Sequence, residues 1–181
     1  DILTRFFASG AMEMTDVTAT ISPSMDIQVS SNFERLLFEL YGRDGAKVAE
    51  TLSGFRATGR FQVPAEILAD AKRLFDGARF DDDATRALIG AEYARSGYLL
   101  DPHSAVGLAA ARARRRDPNV PMVVLATAHP AKFPDAVEQA TGVRPDLPPA
   151  LADLMTRDER INVMANDLDQ LRAFITARMS G

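Results

Sequence analysis

Apolar residues recur at helical spacing along most of this chain, and the breaks in that rhythm divide it into elements. Residues 1–10 read as the latter part of a helix closed by Gly10, the residue type that most easily takes the left-handed C-terminal cap. The period then lapses: "VTATISPSMDIQVS" is rich in Thr, Ser, Val and Ile and reads as strand or irregular chain. In "SNFERLLFELYG" the apolar face is Leu36, Leu37 and Leu40, Ser31 and Glu34 have capping-box spacing, and Gly42 stops the helix. Residues 44–56 and 64–76 give two further amphipathic helices, with Pro64 suited to a first turn. "FDDDATRALIGAEYARSG" opens on aspartates, favourable at a helix N-terminus, and closes on Gly97. Asp101 and Pro102 start a helix that is small on one side. It ends in four arginines, from Arg112 to Arg116, which read as a solvated helix end.

"VPMVVLAT", residues 120–127, breaks the pattern. It is a continuous β-branched, apolar run of the kind buried on both faces of a sheet. A helix over 134–141, a proline-rich connection into a short helix, and an amphipathic helix over 167–179 complete the chain. One buried strand cannot make a sheet. Its neighbours are expected either upstream of residue 1 or within 12–29 and 78–80. The opening "DILTRFF", without Met and already inside an amphipathic pattern, favours the former, and the chain is expected to be a piece of a longer protein.

Composition narrows the function classes more than it names one. A net charge of −4 over 181 residues argues against a nucleic-acid partner, which would select a basic excess. With no cysteine, disulfide frameworks and thiolate metal or redox sites are excluded. No apolar run has the length of a membrane span, so no membrane partner is expected and a cytoplasmic location is. The two histidines, His103 and His129, lie too far apart in sequence for an HxxxH or HExxH pair, and no GxSxG elbow occurs.

The richest stretch for chemistry is "LATAHPAKFP". An apolar strand ending at Thr127 and turning at Pro130 would put the Thr127 hydroxyl at the carboxyl edge of a sheet, where open α/β folds bind ligands. A threonine that merely caps the following turn fits the same residues. Lys132 invites comparison with a cofactor-linking lysine, and a surface lysine in a first helical turn fits equally well.

Four stretches, "DILTRFFASG", "SPSMDIQVSSNFERLLFEL", "GYLLDPHSAVGLAAA" and "LATAHPAKFPDAV", resemble the threonine synthase family of the bacterial and fungal type, in order and over residues 1 to about 155. The resemblance implies a helix-rich α/β chain, part of a fold type II pyridoxal-phosphate enzyme of the tryptophan-synthase-β-like group. It would form the second half of the large domain (1–30 and 98–145) with subgroup-specific helices (31–97). The implied activity is a carbon–oxygen lyase, converting O-phospho-L-homoserine and water to L-threonine and phosphate with pyridoxal 5'-phosphate. The family's Schiff-base lysine and phosphate loop precede the part matched here, so Lys47, Lys72 and Lys132 are not expected in that role. By the same resemblance Thr127 faces the cofactor pyridine nitrogen. Asp101, His103 and Ser104 line the cofactor pocket, Ser104 standing where the family has Thr, and His129 and Lys132 face the substrate phosphate. Taken alone, the chain is expected to be inactive, to bind no cofactor, and to self-associate or hold a separate N-terminal half. A non-catalytic interaction module derived from the same family is the alternative.

Overall fold

The computed structural model describes residues 1–179, which form two compact units, one of residues 1–146 and one from Leu147 onward. In the first unit, α1 (Ile2–Ser9) ends at Gly10, whose backbone is left-handed (φ 76°) and whose N–H donates to Phe6 O at 2.7 Å. The turn delivers β1 (Ala11–Glu13), which pairs antiparallel with β2 (Arg60–Gln62), Met12 opposite Phe61. Between them run α2 (Phe33–Leu40) and α3 (Gly45–Thr58); α4 (Ala65–Leu74) follows β2. Ile2, Phe6, Met12, Phe33, Leu37 and Phe55 share one core, with the Phe6 and Phe33 rings edge-on at 4.6 Å. Helices from both sides of the expected boundary at residue 30 thus pack together.

A second core joins α5 (Asp82–Ser96), α6 (Pro102–Arg114) and α7 (Pro134–Thr141) around Ile89, Leu100 and Ala105. Aspartates set the starts of α5 and α6 as the sequence implies: Asp81 accepts from Ala84 N–H at 2.8 Å, and Asp101 caps α6. The unit from Leu147 onward holds two 3-10 turns (Pro149–Leu151 and Leu154–Thr156) and α8 (Leu168–Met179), with the Arg178 guanidinium 3.7 Å from the Phe174 ring centroid.

Four expectations need correction. Residues 120–127 form no ladder among the described residues, and instead of lying buried, Val123 and Leu125 are 80% and 75% exposed. A strand is buried on both faces only when others flank it, and here one side chain, Val124, leans towards Gly107 of α6 while its neighbours stand bare. The stretch 78–80 is not a strand either; the partner of β1 is β2, which falls in the gap between the helices expected over 44–56 and 64–76. Ser31 does not cap α2. The backbone is already helical at Asn32 (φ −71°, ψ −21°), so the extended geometry a capping side chain needs is lost, and Asn32 Oδ1 accepts from Arg35 instead. Finally, the basic end of α6 is more than a solvated face. Arg112 donates at 2.6 Å to Glu92 of α5, and Arg114 donates to Gly77 O at 2.9 Å.

Candidate functional site

The first turn of α6 gathers the distant segments. Asp101 is 1% exposed, and its Oδ1 accepts the N–H groups of His103 (2.9 Å) and Ser104 (3.3 Å), the reciprocal of a helix start that leaves those donors orphaned. The same oxygen takes the His103 Nδ1–H at 3.1 Å, and Oδ2 accepts the Ser104 hydroxyl. His103 Nε2 accepts from the backbone N–H of Ser24 at 3.1 Å; because that N–H can only donate, Nε2 is the acceptor and Nδ1 the donor. Ser104 Oγ, its proton given to Asp101, accepts the backbone N–H of Thr127 at 3.0 Å.

Two chain segments are therefore pinned to one carboxylate. One is the 3-10 turn Pro23–Met25, whose Ser24 and Met25 line a cavity of about 820 Å³ together with Thr20, Asp26, Gln28, Arg79 and Val106. The wall is stiffened by Thr20, whose N–H and hydroxyl both donate to Asp26 (2.8 and 2.7 Å). The other is the loop that follows the exposed apolar run. It is fastened at Thr127 by Ser104, at Ala131 by burial, and at Phe133 by its ring against His103, 4.6 Å between centroids.

Of the residues singled out from sequence, Asp101, His103, Ser104 and Thr127 come together. The first three are buried, and the hydrogen bonds described above engage their polar atoms with other protein groups. Thr127 is exposed, and no hydrogen bond engages its hydroxyl among the described residues. His129 and Lys132 lie on the same loop and are exposed. His129 Nδ1 accepts from Ala131 N–H (3.2 Å), and Lys132 Nζ stands 5.9 Å from the Phe133 ring. The other lysines are also exposed, Lys47 over the Tyr41 ring at 4.6 Å. Sequence reasoning gave Ser24 and Phe133 no role; the turn signal at Pro23 was visible, but nothing local marks a partner 79 residues away.

Elsewhere in this unit, Glu92 is the one strongly perturbed acid. Hydrogen bonds from Arg95, then Arg112, hold its carboxyl down to about 2 despite the cost of burial. It joins α5 to α6 and is remote in role from the loop.

A family model described as threonine synthase, C-terminal, matches residues 104–175. The chain is 49% identical to threonine synthase of Pseudomonas aeruginosa over 177 residues, 97% of this chain and 38% of that protein. This segment belongs to the C-terminal part of the threonine synthase family. Its structure superposes on a pyridoxal-phosphate-bound threonine synthase from Brucella melitensis with a TM-score of 0.86 and 49% identity, over 98% of this chain and 38% of that one. The yeast threonine synthase gives 0.81 and 34%, over 99% and 40%. The helix-rich, fold type II assignment expected from the sequence agrees with these family structures, and the chain spans less than half the length of the relatives it matches.

Proposed function

We propose that this chain supplies one wall of the cofactor and substrate site of a threonine synthase acting on O-phospho-L-homoserine, the cofactor-linking lysine and phosphate loop coming from a separate N-terminal portion. The observation that carries this reading is Thr127: its backbone is pinned while the residue is exposed and its hydroxyl unbonded among the described residues. A neutral hydroxyl suits a pyridine nitrogen that is to stay unprotonated, since it donates a hydrogen bond without transferring its proton at ordinary pH. That donor chemistry fits pyridoxal 5'-phosphate. When bound, the cofactor supplies the electron sink that lets protons leave the α- and β-carbons of the substrate before the γ-phosphate departs. Thr127 orients the ring and moderates that sink. His129 and Lys132, exposed on the same loop, offer hydrogen-bonding and cationic groups to the substrate phosphate.

The exposed apolar run from Val120 to Leu125 supports a further part of the reading. Bare Val120, Met122, Val123 and Leu125 are the surface that the N-terminal portion covers, completing the large-domain sheet. The chain by itself should then associate with copies of itself. The cytoplasm is the location that fits such a biosynthetic role.

The test is spectroscopic. The isolated chain mixed with pyridoxal 5'-phosphate should turn over no O-phospho-L-homoserine and give no visible band that borohydride removes. Appearance of such a band would place a cofactor lysine within these residues and overturn the assignment. In the protein joined to its N-terminal portion, Thr127→Ala should change the bound cofactor's visible absorption.

A further inference from the structure

We infer that Ser104 and Asp101 are positioning residues for the pyridine contact: Asp101 forces the Ser104 hydroxyl to act as an acceptor, and that acceptor fixes where Thr127 presents its own hydroxyl. The inference rests on the reading of Thr127 above and adds to it the groups that set its place.

A serine hydroxyl in the first turns of a helix has several competing partners, including backbone carbonyls. Here Oδ2 of Asp101 takes its only proton, so the lone pairs of Oγ are what remain to offer, and one of them meets the Thr127 N–H at 3.0 Å. Asp101 itself has little freedom to turn. Its Oδ1 holds two backbone N–H groups and the His103 Nδ1–H, and at 1% exposure water scarcely competes. The far end of the loop is fixed to the same helix turn through Phe133 on His103. Thr127, His129 and Lys132, the exposed residues proposed to meet ligand, thus lie on a span anchored at both ends to α6. Thr127 is held by its backbone, which leaves its hydroxyl available.

The experiment uses the complete cofactor-loaded protein, this chain with its N-terminal portion, carrying pyridoxal 5'-phosphate labelled with nitrogen-15 in the ring. Ser104→Ala is expected to move the ring-nitrogen resonance towards the value measured for Thr127→Ala and to lower kcat by about three- to tenfold, the scale of one hydrogen bond. Ser104→Thr, which keeps the acceptor, should restore both. Thr85→Val, which removes a buried hydroxyl from α5, serves as the matched lesion: it should lower Tm and leave the resonance in place. If Ser104→Ala fails to accumulate folded, Ser104→Cys, with its longer and weaker acceptor, carries the same expectation. A Ser104→Ala or Ser104→Cys protein that melts lower but keeps the wild-type resonance overturns the inference and leaves the reading of Thr127 standing. A Thr127→Ala protein with an unmoved resonance overturns both.

Discussion

A methyl group on Gly90, midway along α5, would stand 2.6 Å from the carbonyl oxygen of Ala140 in α7. Contacts below 3.0 Å are essentially never made by a real Cβ, so Gly90→Ala requires α7 to retreat by about 0.4 Å or α5 to bend. The opposing term is helix propensity, which favours Ala over Gly by about 1 kcal/mol in a helix interior. Gly54 in α3 isolates that term, because nothing lies within 4 Å of a Cβ placed there. Gly54→Ala should therefore stabilise by about 0.5–1 kcal/mol, whereas Gly90→Ala gains the same and loses about 1–3 kcal/mol to overpacking. The difference between the two variants, about 1–3 kcal/mol, is the quantity of interest. Urea unfolding followed by far-ultraviolet circular dichroism measures it on one protein under one condition. Since α7 begins immediately after Phe133, its retreat should also loosen the ring contact with His103. Equal midpoint shifts of the same sign for the two variants would refute the claim that α5 and α7 meet backbone to backbone at this point.

Further outcomes can be checked with modest effort. Because the Glu92 carboxyl is lowered from 4.5 to about 2 in the folded chain, its stabilisation is present above pH 4.5 and fades as pH falls towards 2. Glu92→Gln should accordingly be less stable at neutral pH, and its deficit should shrink across that window in urea titrations; a constant deficit would mean the carboxylate charge is not what matters. Asp101→Ala removes a helix cap and orphans His103 and Ser104, and should cost at least 2 kcal/mol, more than a surface cap. Covering one of the bare side chains Val123 or Leu125 is worth about 1.5–3 kcal/mol, so Val123→Lys with Leu125→Lys should turn the isolated chain towards monomer in analytical ultracentrifugation. An unchanged sedimentation profile would locate self-association elsewhere.

What the sequence conveyed were the features whose causes are local. Gly10 and Gly97 end helices at left-handed caps, and Asp101–Pro102 opens α6, because a few adjacent residues decide each. Residues 120–127 misled for the opposite reason. Their composition encodes burial between strands, but burial requires neighbours, and the described residues supply none. The same limit hid β2, whose partner is some fifty residues earlier, and the Ser24–His103 and Arg112–Glu92 contacts. At the site, residue types in "DPHS" and "TAHPAK" drew attention to a loop and a helix start that the structure brings into contact. That Asp101, His103 and Ser104 face inward could not be read from type alone, since a polar residue at a helix start serves a ligand or a neighbouring backbone equally well.

Fastening Thr127 by its main-chain N–H has a consequence for how such a site can change. The bond to Ser104 is indifferent to what the residue at 127 carries beyond its Cβ, so the head group can be exchanged without dismantling the mount. On the reading of Thr127 proposed above, serine, aspartate or an amide at this position would meet the cofactor ring from the same place with a different proton affinity. On that reading the electronic setting of the ring would be separable from its alignment, and one substitution would retune reaction outcome while the scaffold beneath stayed as it was.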